Sequence, residues 1–557
     1  AMAWRSGGAK GAPVWLGSVK PNVGHLDSAA GVAGLVKTVH AVREGRLPAT
    51  LHYRRPNPRI DFASTAFKVV EQLTPWPSEP ERPRIAGVSS FGVGGTNAHV
   101  IVAEAPPRAV GHAPVREPQL LVLSARTPTA LAARCTALAE WLEQHPDAVL
   151  ADVAWTLAVG RAAMSHRISI VATTVAEAAQ ALAGAARRSA NQPATEADAP
   201  PVAFVFPGQG AQYPGMGRAL YETPGVFRDS VDWLAGHLEQ PLGLDIRTLI
   251  TPEPAALETA AQRLNDTAIT QPAIFTIELA LAYQWRAWGV EPHMLVGHSV
   301  GEFAAAVLAG VFSEADACQL IATRARLMAD QAPGVMLAVH AAADGLDAYL
   351  DDTVEVSAIN APELCVVSGA HGAIDMLAQR LDDAGIRNTR LATSHAFHSR
   401  AMAPAMAPLE AAVAAITRSP ARRPVVSTLT GALLADEDMC APDYWSRQMR
   451  QAVRFAPAIE TAQRQLEPVF VECGPGGQLT AAIGQQNGTA SPLSAVPSQA
   501  GPRDDTPADV ALLKALGALW QMGVTPDWAG VFGYGQSPRQ RLHLPTYPFE
   551  RKRYWID

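Results

Sequence analysis

The sequence predicts a multidomain α/β protein whose main domain is built on a mostly parallel sheet. Three observations predict it. The 557 residues exceed the roughly 250 to 300 at which one hydrophobic core stops growing, so several domains are required. From residue 202 onward, short apolar runs alternate with Ala/Leu-rich helical stretches, the pattern of βαβ units. One of those runs feeds Gly297-His298-Ser299-Val300-Gly301 and then an Ala-rich helix, which is a strand, a sharp turn and a helix in succession.

In chain order, residues 14–19 read as a strand, 21–24 as a loop and 28–42 as an Ala/Gly-rich helix. A Pro-rich stretch, 54–84, precedes a strand at 85–89, the glycine loop 92–95 and a strand at 99–103. Ala105-Pro106-Pro107 marks a boundary. A small α/β unit follows, with an apolar run at 120–123 and an amphipathic helix at 128–144. Residues 189–201 lack periodicity and read as a linker. The main domain then offers strands at 202–206, 294–296, 335–339, 354–359, 364–367, 425–428 and 469–472. Its β-rich part, 331–394, reads as an inserted subdomain. After 499 the chain turns polar and Pro-rich, with one helix at 510–522 and a closing apolar segment at 544–549. No internal repeat is visible.

Hydrophobic residues at 48% and charged residues at 17% supply enough apolar surface for ordinary globular folding. A net charge of -7 gives no electrostatic footprint for nucleic acid or an anionic membrane. Cys135, Cys318, Cys365, Cys440 and Cys473 form no C-x-x-C pair and have no histidine at ligand spacing, so neither a zinc site nor a disulfide framework is expected. A reducing cytoplasm fits this usage. Residues 1–10 lack the apolar core of a secretion signal, and no 18-residue apolar run could span a bilayer.

The chemistry centres on Ser299. Glycines at 297 and 301 permit a tight turn that lifts the hydroxyl clear of the sheet, and the following helix start offers amide N–H groups to a developing oxyanion. A serine hydroxyl needs a base at neutral pH, and His395 and His398 are the candidates. Pro207-Gly208-Gln209-Gly210 follows the first strand of the domain, at the sheet end where open α/β folds place their sites. It reads either as a tight turn or as the loop through which Gln209 offers an amide, from side chain or backbone, to the nucleophile.

Phe206-Pro207-Gly208-Gln209-Gly210, Gly297-His298-Ser299-Val300-Gly301, Arg324, His395-Ala396-Phe397-His398 and Glu472-Cys473-Gly474-Pro475-Gly476, in this order, resemble the acyltransferase domain of modular type I polyketide synthases. The resemblance implies a hydrolase-like core with a small ferredoxin-like insert. It also implies Ser299 as nucleophile, His398 as base, and the N–H groups of Gln209 and Val300 as oxyanion donors, with His298 and Phe397 lining the acyl site. The family has no acidic third member; a backbone or amide oxygen orients the imidazole instead. Arg324, rather than the nearby Arg326, would clamp a substrate carboxylate. A small residue at Val300 with Phe397 implies malonyl rather than methylmalonyl units. The substrates would be malonyl-coenzyme A and an acyl carrier protein bearing phosphopantetheine, used in ping-pong order with no metal and no permanently bound cofactor.

Ser18-Val19-Lys20-Pro21-Asn22-Val23-Gly24-His25 and Ser89 to His99 resemble the C-terminal part of a β-ketoacyl synthase, a partial thiolase-like fragment. There His25, Lys20 and Phe91 would be remnants of an active site whose cysteine and second histidine are absent, so no condensation is expected. These resemblances divide the chain into 1–107 (synthase fragment), 108–199 (α/β linker domain), 200–498 (acyltransferase) and 499–557 (trailing linker). The segment 544–549 would pack back toward the synthase, and the rest of a synthase module would be a partner. Two rivals share these features. An α/β-hydrolase also carries G-x-S-x-G, but a neutral ester gives Arg324 no purpose. A decayed scaffold would not retain Gln209, Ser299, Arg324 and His398 together.

Overall fold

The computed structural model describes residues 13–79, 82–106, 118–189, 193–195, 198–486, 493–533, 539–553 and 555. The expected boundary at 105–107 and the linker at 189–201 fall partly, and residues 1–10 wholly, outside the described residues. The chain forms two compact units, Ala1–Val110 and Gly111–Asp557.

In the first unit, strand Val14–Leu16 pairs in parallel with Phe67–Val69, and Ile85–Phe91 forms an antiparallel hairpin with Asn97–Ala103. The strand expected at 14–19 stops at Leu16. Pro21 has no N–H to give a ladder and suits the first turn of a helix; it opens the short helix Lys20–Val23, which ends at Gly24 with φ 79°. Helix Ala30–Glu44 closes at left-handed Gly45. Among the described residues of this unit only Val42 and Val70 are buried apolar side chains, while Val32, Val36, Val39, Phe91 and Ile101 are exposed. Its apolar faces are open on both the helix and the hairpin.

The second unit begins with strands β1 (Gln119–Ala125) and β2 (His166–Ala172), paired antiparallel. Helices α1 (Pro128–Gln144), α2 (Leu150–Val159) and α3 (Val175–Ser189) cover them. Thr127 caps α1 by accepting the Ala130 N–H, with Pro128 in the first turn. Within this unit the trailing segment packs on these elements. Leu544 is buried with Leu121, Leu131 and Leu157, and Tyr547 packs beside them. The Tyr547 hydroxyl accepts the Arg126 N–H at 3.1 Å, and Glu550 accepts the hydroxyls of Thr127 and Thr129. An apolar side chain at alternate positions of an extended segment fits the gap that two strands and three helices leave unfilled.

The main sheet is wholly parallel. Strands β3 (Val202–Phe206) and β4 (Met294–Gly297) run side by side. Beyond β4, the insert contributes β5 (Val335–Val339), β6 (Val354–Ala361), β7 (Leu364–Gly369) and β8 (Asn388–Arg390). The chain then returns as β9 (Val425–Val426), β10 (Val469–Glu472) and β11 (Ala495–Pro497). The main-sheet order is β9-β4-β3-β10-β11, so β3 is central and the order reverses beside it. That reversal is where an open sheet leaves a crevice at its carboxyl edge. Both β3 and β4 are completely buried, and helices α4 (Thr267–Ala287), α5 (Gly301–Ala309) and α6 (Glu314–Ala329) pack around them. The strand expected at 425–428 ends at Val426 because Ser427 N–H turns to Ala432 and Thr428 reaches the Gly297 carbonyl.

The insert forms a separate antiparallel sheet of order β6-β7-β5-β8, the ferredoxin-like arrangement, with helix α7 (His371–Asp383) between β7 and β8. It has its own core of Val339, Cys365, Val367 and Leu381. Helix α8 (Pro442–Arg450) and the late helix α9 (Ala508–Gln521) complete the unit. Cys135, Cys318, Cys365 and Cys473 are buried free thiols. No helix among the described residues is long and apolar enough to cross a membrane, and no described group of three His, Cys, Asp or Glu side chains could hold a metal ion.

Leu544, 5% exposed, anchors the trailing segment. The L544A substitution is expected to destabilise the unit by about 2 to 5 kcal/mol, read as an earlier urea midpoint with the Ser299 chemistry retained before unfolding.

Candidate active site

Strand β4 delivers Ser299 with φ 54°, a left-handed conformation that non-glycine residues adopt at a cost. The flanking glycines make the turn sterically possible. A Cβ at Gly297 would overlap the Glu302 backbone, and one at Gly301 would overlap the Phe206 carbonyl. The Ser299 carbonyl is fixed by the Gln448 side-chain amide at 2.7 Å, and the Glu302 N–H reaches it at 3.1 Å.

The second imidazole of the pair, not the first, meets this hydroxyl. His398 Nε2 lies 2.7 Å from Ser299 Oγ, while His395 is held by its neighbour Ser394. His398 also has φ 54°. Its Nδ1 donates to the Gln451 backbone carbonyl at 3.0 Å, which leaves Nε2 as the acceptor for the serine proton. No sequence pattern could single out Gln451, because it acts through its backbone.

Arg324 lies on α6, 1% exposed, and its Nη2 donates to Ser299 Oγ at 3.2 Å. Arg326, two residues on and therefore on the opposite helix face, is exposed. Nη1 of Arg324 donates to Gln271 Oε1, and the guanidinium stacks 5.5 Å from the Phe303 ring centroid. Its Nε has no partner, and no Asp or Glu among the described residues forms an ion pair with it. A buried, uncompensated cation is costly. Sequence reasoning misses Gln271, one of several polar residues, with Thr270, Thr276 and Glu278, on the buried helix α4.

Gln209 closes the site from the end of β3. Its side chain is committed to others, donating to Thr267 at 3.3 Å and accepting from Gln271 at 3.1 Å. Of the two alternatives for this residue, the backbone N–H is the one left free: among the described residues, nothing accepts the N–H of Gln209 or of Val300. His298 is half-buried, with Nε2 2.9 Å from Asn360 Oδ1 and a buried, unpartnered Nδ1. A Cβ at Gly208 would come within 2.8 Å of that Nδ1. Phe397 is 5% exposed, and its carbonyl accepts the Ser368 hydroxyl at 3.1 Å.

Electrostatics favour a neutral imidazole. Burial, then the positive charge of Arg324 and the neighbouring His298, push His398 down to about 3. Burial lowers Arg324 to about 10 against the opposing pull of Glu302, so it stays cationic at neutral pH. Burial raises Glu302 to about 7 in spite of hydrogen bonds from the Thr428 N–H and Tyr444.

In the first unit, of the three expected remnants, His25 is exposed and accepts the Asp27 N–H, Lys20 is exposed, and Phe91 is 76% exposed.

A parallel sheet with an elbow-borne serine bonded to an imidazole defines an α/β protein of the acyl-transfer or hydrolase class. Comparison with known proteins separates the two. Residues 203–519 match the acyl transferase domain family, 119–182 the CurL-like C-terminal region of polyketide synthases, and 2–54 the C-terminal domain of β-ketoacyl synthases. The chain belongs to the acyltransferase family of polyketide synthases. It is 39% identical to a phenolphthiocerol/phthiocerol polyketide synthase of Mycobacterium tuberculosis over 99% of its own length, and it spans 37% of that protein. Among solved structures, the acyl transferase domain of SpnD in complex with 2-(pent-4-yn-1-yl)malonyl is 35% identical with a TM-score of 0.68, covering 74% of this chain and 98% of that one. The acyl transferase domain of ZmaA is 28% identical with a TM-score of 0.72, covering 78% and 100%.

With His398 depressed, the rate at which a neutral fluorophosphonate labels Ser299 is expected to stay flat from about pH 8 to about pH 5, with no limb at the ordinary imidazole value near 6.5. Removing a cation that lowers this value raises it, so R324Q moves the acid limb to higher pH. The limb still lies below about 6.5, because burial, the larger cause, is unchanged.

Proposed function

We propose that this chain transfers a malonyl group from coenzyme A, through an ester on Ser299, to the phosphopantetheine thiol of an acyl carrier protein. One observation carries the reading. A buried guanidinium without a carboxylate partner donates to the very hydroxyl that the imidazole is placed to deprotonate. A diacid monothioester supplies what that cation lacks, and guanidinium binds a carboxylate bidentately. A plain acyl group or a neutral ester leaves Arg324 uncompensated, which is how the site selects its donor. The substituted malonyl group in the SpnD complex supports a diacid ligand here.

Ser299 Oγ attacks the thioester carbon while His398 Nε2 takes its proton. The N–H groups of Gln209 and Val300 receive the oxyanion; losing one such donor costs about 2.7 to 4 kcal/mol. As the carbon–sulfur bond breaks, the imidazolium returns its proton to the departing coenzyme A sulfur. The carrier thiol then repeats the sequence: His398 takes its proton, sulfur attacks the ester, and Ser299 leaves as the hydroxyl. The Gln451 carbonyl holds the imidazole in one tautomer throughout, the part that an acid plays in a triad.

Malonyl is favoured over methylmalonyl by Phe397 and Val300, both buried beside the dyad. A ring at 397 takes the space of an α-methyl group, and one methyl misfit costs about 1 to 3 kcal/mol.

Intact-mass measurement after mixing with malonyl- and methylmalonyl-coenzyme A in competition is expected to show one malonyl adduct on the wild-type chain and none on S299A. Undiminished loading of S299A would refute the mechanism. In the same competition, F397S is expected to raise the methylmalonyl share at least about tenfold.

A further inference from the structure

His398 and its acceptor Gln451 come from different parts of the chain. Gln451 is held by its own helix through its N–H to the Arg447 carbonyl, and the His398 turn is closed locally by Ser399 to the Ala396 carbonyl, but neither set of bonds joins the two segments. Two residues past His398 stands Arg400; one residue before Gln451 stands Arg450, at the end of α8. Both reach the same carboxylate on β6 of the insert. Glu355 accepts the Arg400 backbone N–H at 2.9 Å, Arg400 Nε at 2.9 Å and Arg450 Nη2 at 3.2 Å, and Arg450 Nη1 lies 3.2 Å from Glu355 Oε2.

We propose that Glu355 is a positioning residue for the transfer reaction, clasping the strand of chain that carries the base to the helix end that carries the base's hydrogen-bond acceptor. The inference rests on reading His398 as the base.

An ordinary surface ion pair contributes between nothing and about 1 kcal/mol and orders little. This one differs in three respects. The Glu355 side chain is 23% exposed and that of Arg450 26%, so both are partly withdrawn from solvent. Burial works against the carboxylate's charge, yet the hydrogen bonds from Arg400 and the two cations outweigh it and hold the group below the usual carboxylate range. One of its bonds goes to a backbone N–H in the turn directly after His398, whose left-handed conformation persists only if its surroundings over-determine it. Around the same residue, Ser368 of β7 holds the Phe397 carbonyl on one side and Glu355 of β6 holds the Arg400 N–H on the other. The insert therefore grips the base-bearing turn at both ends. The clasp touches no reacting atom; it acts on the angle and distance between His398 and Ser299, where a misplacement of about 1 Å can cost about a hundredfold in rate.

The test uses the full chain with E355Q and R450Q, and reads Ser299 in two ways: steady-state transfer from malonyl-coenzyme A, and labelling by a neutral fluorophosphonate, which needs nucleophile and base but no carboxylate clamp. E355Q is expected to slow labelling about tenfold and to lower kcat by the same factor with KM unchanged, and R450Q to give a smaller loss of the same kind. Raising KCl from about 0.05 to about 0.5 M, which screens exposed pairs strongly and partly withdrawn ones only weakly, slows labelling of the wild-type chain slightly and leaves E355Q unaffected. E355Q labelling at the wild-type rate, or a loss that salt deepens equally in E355Q, overturns the proposal. If E355Q does not fold, R450Q and the salt series decide on the same criteria. Failure of malonyl transfer in the wild-type chain alongside an intact labelling contrast would remove the donor assignment and leave Glu355 standing.

Discussion

The 2.7 Å contact between Ser299 Oγ and His398 Nε2 is the interaction on which the rest of the second unit depends, because both partners sit in left-handed backbone. Such conformations cost of order 1 to 3 kcal/mol each, and neither residue is a glycine that could adopt them freely. The surrounding structure has to supply the difference. On the serine side it does so sterically and by hydrogen bonding: glycines at 297 and 301 remove the clashes, Gln448 holds the Ser299 carbonyl, and Glu302 ties the start of α5 to Thr428 and Tyr444. On the histidine side it relies on the bond to Gln451, on local bonds of Ser399 within the turn, on close packing of Gly334 against Ala396, and through Phe397 and Arg400 on the insert. A glycine-cradled elbow is robust; a turn held by separate bonds is more sensitive to substitution at a distance.

The charges follow from the same burial. A guanidinium 1% exposed and an imidazole 5% exposed face one hydroxyl, and each makes the other's charged form less favourable. The imidazole gives way, since its ordinary value is near neutrality while that of arginine is far above it. The result is a neutral base beside a permanent cation, the pairing that the proposed diacid donor calls for. On that reading, a carboxylate at Arg324 offsets the cation and makes His398 more basic, so that proton abstraction becomes easier with the donor bound. Glu302, with one oxygen unpartnered, lies close enough to influence Arg324 without forming an ion pair.

Much of this is legible in the sequence where periodicity and glycine spacing carry the signal. The strands at 202–206, 335–339 and 469–472 and the helix at 128–144 appear at the expected residues, and the elbow follows from two glycines whose Cβ atoms would collide. What escapes has physical reasons. Gln451 contributes a carbonyl that any residue would offer. Gln271 and Gln448 sit on helices whose neighbours in sequence say nothing of a residue elsewhere in the chain. The strand at 425–428 is shorter than expected because Val, Val, Ser and Thr share a β preference while Thr428 is spent on the Gly297 carbonyl. The Leu, Tyr and Phe of 544–549 announce that the segment packs, not on which residues; within the second unit Leu544 and Tyr547 meet β1 and its helices.

The insert is the least expected contributor. It folds around a core of its own while Met336, Ala358 and Val366 on its other face join the main core, and it supplies Asn360 to His298, Ser368 to the Phe397 carbonyl and Glu355 to the arginines flanking His398 and Gln451. Backbone bonds from the Ile359 N–H to the Val453 carbonyl and from the Val453 N–H to the Ser357 carbonyl fasten β6 to the segment just beyond α8. All of these contacts fall on the base-bearing turn, the α8 end or the residue before the nucleophile, and none on the strands that carry the elbow. The division has a consequence for how such a site can vary. Ser299, the Gln209 and Val300 N–H groups and Arg324 are held by the parallel sheet and its helices, whereas the distance of the imidazole and the wall presented by Phe397 are set by a body with a core of its own. Changes within that body can reshape acyl selectivity while the elbow, constrained by glycine sterics, stays where it is.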